Sequence, residues 1–249
     1  MDAVPWWSQA FSSDYVDLYP HRDLASARIE ASFLVANGLR GRVLDLCCGW
    51  GRHLIALHEM GLEVAGVDWS ADLLAQIEKL PEGRRVATRV VRGDARRAPF
   101  LDGAFDGVVS LFSSFGYFGD LGDRELLDGV ARILTRDGVA FLDVMNPDFV
   151  RAGLVSESRR ERAGATLVER RRLVGSSVRK DVELHRDGSR IRTWHEEVRL
   201  YEPIELDERV AAAGLVVQAR WGGFEGSVFG PGSPRQLLRV ARAVTTRGG

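Results

Sequence analysis

The chain has 249 residues and a mass of 27.6 kDa; 45% of the residues are hydrophobic, 28% are charged, and the net charge is −1. That composition excludes a disordered chain, a collagen-like fibre and a disulfide-built mini-fold. The balance of 34 basic and 35 acidic residues removes any global electrostatic pull toward nucleic acid or an anionic membrane. The two cysteines, Cys47 and Cys48, are adjacent, which suits neither an ordinary structural disulfide nor a zinc site.

The N-terminus carries Asp2 early and has no basic start or apolar run, unlike a signal peptide. The longest uncharged stretch, Gly107 to Gly119, is far short of the ~20 apolar residues that span a membrane. A cytoplasmic protein is the expectation.

Short apolar runs then alternate with amphipathic helices. Val43 to Leu46 reads as a buried strand ending in a Gly-rich turn. Leu54, Ile55, Leu57 and His58 form a helix that stops at Gly61. A strand at Val64 to Val67 precedes a helix N-capped by Ser70, with Leu73, Leu74 and Ile77 on one face. Further strands are expected over Val86 to Val91, Phe105 to Leu111 and Val139 to Val144. Between the last two, Leu126, Leu127, Val130, Ile133 and Leu134 form a helical stripe closed by Gly138. Strands that are apolar throughout, alternating with helices, indicate an α/β fold whose parallel sheet is covered on both faces.

From Arg151 to Tyr201 the pattern changes and basic residues outnumber acidic ones. Thr166 to Val174, Asp181 to Arg186 and Arg190 to Leu200 read as antiparallel strands, and Asp187-Gly188 has the residue types a type I′ hairpin turn demands. The α/β pattern resumes with a helix at Leu206 to Ala213 and strands at Leu215 to Ala219 and Leu237 to Ala243.

The stretch Val43 to His53, VLDLCCGWGRH, carries the most chemistry. It takes a buried strand through Asp45 into a turn with Gly49 and Gly51 and then into a helix. Open α/β sheets bind ligands outside the carboxyl ends of their strands, and glycines there let backbone approach a ligand closely. A dinucleotide is one candidate, but Leu54 occupies the position of the third fingerprint glycine. Asp68, 19 residues after Gly49, ends the second strand and is placed to accept bonds from a ribose diol. Trp69 offers a flat face to an adenine, and Asp94, in Gly93-Asp94-Ala95 at the third strand end, an acceptor for its amino group. The fourth strand runs into the aromatic loop Leu111 to Phe118. Each feature alone also reads as a helix-start acid, a turn or core; four in register do not.

These residues resemble class I S-adenosylmethionine-dependent methyltransferases of the small bacterial small-molecule type. The resemblance rests on VLDLCCGWGRH, GVDWS (66–70), VRGDAR (91–96), FDGVVSLFSSFGYF (105–118), LDVMN (142–146) and the late segment with Gly214-Leu215, Gly222-Gly223-Phe224 and Ser233-Pro234-Arg235. The family's usual first turn glycine is Cys47 here, where a small side chain fits. The resemblance implies a Rossmann-like, seven-stranded, mostly parallel sheet with helices on both faces, and an antiparallel β insertion after the fifth strand. It implies one domain, with a helical cap (1–40), a cofactor-binding core (41–150), the insertion (151–201) and a completing segment (202–249). The implied cofactor is S-adenosyl-L-methionine, with no metal. Asp45, Cys47, Gly49 and Gly51 would border its methionine half, Asp68 its ribose, and Trp69, Gly93, Asp94 and Ala95 its adenine. Leu111 would offer a carbonyl to the ammonium, and Arg52, Tyr19 or Arg22 would meet the carboxylate.

The acceptor is expected to be a small molecule, in a pocket shaped by the insertion and lined by Phe112, Phe115, Tyr117, Trp221 and Phe224. Tyr15, Tyr19, His185 and His195 are the candidate bases. His195 shares its strand face with Thr193 and Glu197, which favours a surface position. Trp6, Trp7 and Phe11 either close over the pocket or pin an N-terminal helix to the body. Asn146 to Phe149, which resembles the Asn-Pro-Pro-aromatic motif of amide methylases but follows the wrong strand, reads as a turn. The Arg-rich insertion leaves an RNA methyltransferase as the alternative, although its interleaved acids suit a solvated sheet edge better. A non-catalytic cofactor-binding module is the remaining alternative.

Overall fold

The strand run Val43 to Leu46 is buried along its length because it sits in the middle of a sheet with helices on both sides. The computed structural model describes residues 5–19, 22–162 and 164–243. Strands β1 (Arg42–Leu46), β2 (Glu63–Asp68), β3 (Val90–Arg92), β4 (Phe105–Ser110) and β5 (Leu134–Met145) are mutually parallel. β10 (Leu215–Trp221) and β11 (Arg235–Arg242) complete the sheet, with β11 antiparallel to both its neighbours. The order β10-β11-β5-β4-β1-β2-β3 reverses direction between β1 and β4. There the register pairs Leu46 with both Val67 and Ser110, so the carboxyl ends of β1, β2 and β4 open on one crevice.

Helices α3 (Leu24–Ala36), α4 (Arg52–Glu59) and α5 (Ala71–Ile77) cover one face, burying Ala31, Leu34, Leu54, Leu57 and Ile77 against Val43, Val109 and Phe141. Helices α6 (Gly119–Ile133) and α8 (Pro203–Ala212) cover the other, burying Leu126, Val130, Leu206 and Val210 against Leu44, Val108 and Leu142. Ser70 caps α5 as expected, accepting from the Leu73 N–H at 3.2 Å.

After β5 come α7 (Pro147–Gly153) and a second, four-stranded antiparallel sheet of β6 (Glu157–Arg162), β7 (Ala165–Val174), β8 (Ser177–Arg186) and β9 (Ser189–Arg199). The turn between β8 and β9 has positive φ at both Asp187 (51°) and Gly188 (75°), as its residue types require. Two short helices, α1 (Trp7–Ala10) and α2 (Tyr15–Leu18), lie near the start of the chain.

Several boundaries differ from expectation for local reasons. β3 is short because residues 83–85 and 87–89 form 3₁₀ turns that bury Val86. α6 ends at Ile133, and Leu134 already belongs to β5, whose bulge near Phe105 absorbs the extra residues. Residues 147–149 are helix, not turn: Pro147 stands at the first helical position and Asn146 caps it, accepting from the Asp148 N–H. β6 escapes sequence reading because it is a charged edge strand with no apolar face.

Candidate cofactor and acceptor site

The turn after β1 sets the geometry. Cys47 (φ 60°), Gly49 (55°) and Gly51 (77°) are all left-handed. The Cys48 N–H donates to the Val67 carbonyl at 3.1 Å, and the Gly51 N–H to the Cys48 carbonyl at 2.9 Å. A Cβ on Gly51 would lie 3.0 Å from Ile77 Cδ1, so the turn is closed against α5. Cys47 holds a conformation that glycine adopts freely, at roughly 1–3 kcal/mol for a residue with a side chain. Cys47→Val is accordingly expected to lower unfolding free energy by about 2 kcal/mol in urea titrations, whereas Cys47→Gly keeps or raises it. Equal losses in the two variants would show that φ is not the issue.

Asp68, at the end of β2, ties this turn to the next strand. Its Oδ2 accepts from the Gly49 N–H and its Oδ1 from the Ser70 N–H, each at 2.8 Å. Burial raises its carboxyl above the usual range while these N–H groups oppose the shift. Each oxygen keeps a lone pair for a further donor.

A cavity runs along the crevice, walled by Asp45, Cys47, Gly49, Asp68 and Leu111 and roofed by Phe11 and Tyr15. Asp45 is 2% exposed and its Oδ2 has no hydrogen-bond partner among the described residues. Burial pushes its carboxyl up to about 8, with Arg52 opposing and Asp68 adding to the shift. Arg22 lines the same cavity, stacks on Tyr15, Tyr19 and Phe112, and forms no ion pair among the described residues; its buried Nε has no acceptor. Arg52 is committed instead: its Nη1 donates to Glu30 at 2.7 Å, and His53 Nε2 pairs with the same oxygen at 2.6 Å. Burial, reinforced by Arg52, lowers His53 to about 4, so the ring is neutral at physiological pH. The Leu111 carbonyl accepts from the Ser114 hydroxyl at 3.0 Å and retains a second lone pair.

Beyond Asp68 a slot is lined by Trp7, Trp69, Gly93, Asp94, Ala95 and Phe118. Trp7 meets Trp69 edge-on at 5.3 Å and Phe118 at 5.6 Å. Asp94 is engaged by its own neighbour, Arg96, at 2.6 Å. Burial opposes its ionisation, but Arg96 outweighs that and holds the carboxyl below the usual range. Trp6 packs on Phe11 and Tyr117, so the N-terminal aromatics both cover the crevice and pin the first helix.

A larger cavity of about 630 Å³ lies between the sheet edge, α7 and the inner face of the insertion. Arg22, Phe112 and Tyr117 line it and the crevice alike, which makes them the partition between the two. Phe112 and Ser113 are both left-handed (φ 61° and 60°). Buried Asp143 holds them there: its Oδ2 accepts from the Phe112 N–H at 2.9 Å and its carbonyl from the Ser113 N–H at 3.1 Å, with Arg235 paired to the same carboxylate.

Several residues expected in the acceptor pocket lie elsewhere. Trp221 and Phe224 pack at right angles on Phe33, 5.2 and 6.1 Å away, outside the cavity. Phe115 is fully buried against Tyr201. His195 lines neither cavity: it projects from the face of β9 that carries Glu197, beside Arg179 and Asp181 and with its ring 6.3 Å from Trp6, because Trp194, Glu196 and Val198 take the inner face. His185 pairs with Glu183 at 3.0 Å on that outer side. Tyr19 lines the larger cavity and not the crevice. Its hydroxyl donates to Glu169 at 3.1 Å and accepts from Lys180 at 3.2 Å. Burial first, then Glu196 and Glu169, drive its pKa far up, so it holds its proton and is no base at neutral pH. Tyr15 does reach the crevice.

Sequence reading missed Glu169, Lys180 and Glu196. Each sits among apolar residues of its own strand at alternate positions: Glu169 with Ala165 and Leu167, Lys180 with Val178 and Val182, Glu196 with Trp194 and Val198. A charge on an apolar strand face was the available signal.

Residues 43–138 match the family model described as a methyltransferase domain. The cypemycin N-terminal methyltransferase of a Streptomyces species is 31% identical over 211 residues, which cover 82% of this chain and 84% of that enzyme. The chain is a class I S-adenosylmethionine-dependent methyltransferase. A second relative of this methyltransferase is the dTDP-3-amino-3,6-dideoxy-alpha-D-glucopyranose N,N-dimethyltransferase of Streptomyces fradiae, 31% identical over 77% of this chain and 76% of that one. Some other curated relatives are matched over about half of their length, 54% in one instance. The fold agrees with a solved S-adenosylmethionine-dependent methyltransferase from Clostridium acetobutylicum, with a TM-score of 0.78 at 16% identity, covering 93% of this chain and 98% of that one. The cofactor is therefore S-adenosylmethionine. Among the described residues no helix is long and apolar enough to cross a membrane.

Proposed function

We propose that this methyltransferase moves the cofactor's methyl group to a nucleophilic nitrogen, oxygen or carbon of a small molecule held in the cavity beneath β6–β9. The observation that carries this reading is the shared partition. Arg22, Phe112 and Tyr117 face both the crevice and the larger cavity, so a molecule in one meets a molecule in the other there. The crevice suits the cofactor. Asp45, a buried carboxyl whose Oδ2 has no partner among the described residues, would take its ammonium, and Arg22, a half-buried guanidinium without a counter-ion among them, its carboxylate. Asp68 would take the ribose hydroxyls on its free lone pairs, and the slot at Trp69, Asp94 and Ala95 the adenine.

When bound, S-adenosylmethionine supplies a methyl group on a positively charged sulfur, already activated for displacement. What the chain adds is approximation: holding the nucleophile in line supplies roughly 7–11 kcal/mol of barrier lowering. Phe11, Tyr15 and Tyr117 line the crevice and would keep water from the reacting atoms. Relatives named as a cypemycin N-terminal methyltransferase and an amino-sugar N,N-dimethyltransferase favour nitrogen as the acceptor atom. The outer arginines of the insertion do not favour RNA: Arg170 pairs with Glu157 and Glu183, and Arg172 with Asp181.

The test is S-adenosylhomocysteine release measured over a panel of small amines, alcohols and a total RNA fraction. Turnover with a small amine is the expected result. Methylation confined to RNA, or no binding of the cofactor by calorimetry, would overturn the reading.

A further inference from the structure

Building on that reading of the cavity, we propose that the part of it walled by Ser158, Arg160, Arg171 and Lys180 is an oxyanion subsite, which holds a carboxylate or phosphate group carried by the methyl acceptor. These four residues line the larger cavity and not the crevice, so the subsite lies on the acceptor's side of the partition. They come from three neighbouring strands, β6, β7 and β8, whose alternation turns them to one face.

Glu169 organises them. It is 1% exposed at the side chain and gathers Arg160 at 2.7 Å, Arg171 at 2.5 Å, the Ser158 hydroxyl at 3.1 Å and Lys180 at 3.7 Å. One carboxylate thus fixes three cations. Lys180 also meets Glu196 at 2.7 Å. Among the described residues Arg160, Arg171 and Lys180 therefore face only Glu169 and Glu196; of the other cations lining the cavity, Arg235 is already matched by Asp143, and Arg22 stands at the partition. A positive charge is left over in a recess where the arginine and lysine side chains are only 16–36% exposed. The buried Nε of Arg160 has no acceptor among the described residues. The opposite face of the same sheet shows no such surplus, since Arg170, Arg172 and Arg179 each find acids beside them.

An uncompensated cation in a recess is costly unless an anion joins it. Two guanidinium forks held by a shared buried carboxylate already have their rotamers fixed. They can therefore bind an oxyanion through paired charge-assisted hydrogen bonds with little further ordering. An acceptor carrying its own negative group would be anchored there, and its nucleophile directed toward the partition.

The experiment uses the full chain saturated with S-adenosylhomocysteine, with inorganic phosphate and acetate as probes at constant ionic strength. A rise in Tm with phosphate, acetate or both, beyond that given by chloride, is expected; the stronger probe tells which oxyanion the site prefers. Arg160→Gln and Arg171→Gln should each weaken the response at least tenfold. Arg170→Gln, on the outer face, should keep it, and all three should bind S-adenosylhomocysteine as the parent does. No response to either anion in the parent overturns the subsite, as does a response that survives both inner substitutions. If an arginine variant fails to fold, Ser158→Ala takes its place and should weaken the response severalfold; an undiminished response there counts against the subsite. Failure of the parent to bind S-adenosylhomocysteine would strike the reading of the crevice instead, a separate result from silence toward the anions.

Discussion

Asp68→Ala is expected to weaken S-adenosylhomocysteine binding by roughly 10²–10⁴-fold. Each hydrogen bond from a ribose hydroxyl to a buried carboxylate is worth roughly 1.5–3 kcal/mol, and two are lost together. The substitution also frees the Gly49 and Ser70 N–H groups that Asp68 holds at 2.8 Å. Stability should therefore fall by about 1–3 kcal/mol, which a urea titration separates from the binding loss. Asp68→Asn keeps one acceptor oxygen and should lie between the two. Calorimetric affinity within threefold of the parent, in a variant that still unfolds cooperatively, would place the ribose elsewhere.

Asp45→Asn should pull stability and binding in opposite directions. In the free protein burial raises the Asp45 carboxyl to about 8. An unfolded aspartate titrates near 4. Between these values the folded chain keeps a proton that the unfolded chain gives up. Unfolding then releases a proton, so the stability this group contributes is full at low pH and is lost as pH rises through the window. Asparagine does not titrate. The free variant should therefore melt above the parent, by a margin that grows from pH 5 to pH 8 and then levels. Cofactor binding brings an ammonium toward the ionised carboxylate, so parental affinity should increase with pH toward about 8, and binding at pH 7 should release a proton to buffer. The variant should bind roughly 10–100-fold more weakly, with no such pH trend. A variant no more stable than the parent at pH 8 that binds equally well would remove Asp45 from the site.

The two aspartates were legible because they stand at the ends of apolar runs, and a parallel sheet aligns such ends automatically. The same logic exposed the Ser70 cap and the Asp187-Gly188 turn, where residue type and backbone conformation are tightly coupled. The acceptor side was less legible. Trp221 and Phe224 have the right chemistry for a pocket, but aromatic character does not reveal which side of a sheet a ring packs on, and Phe33 claims both. Glu169, Lys180 and Glu196 meet only through cross-strand register, which fixes Glu169 opposite Val182 and Lys180 opposite Glu196. No single strand contains that information. Cys47 lay between these cases: its place in the turn was evident, its positive φ was not.

The N-terminal segment is fastened at two separate points. Arg192 of β9 donates to Ser12 and to the Gln9 and Ala10 carbonyls, while the Ser70 hydroxyl donates to the Phe11 carbonyl at 2.7 Å. It thus straps the strand bearing Glu196 to the rim that bears Asp68. One short segment therefore joins the roof of the crevice, where Phe11 and Tyr15 lie, to the sheet that walls the larger cavity, so the two chambers share a single covering.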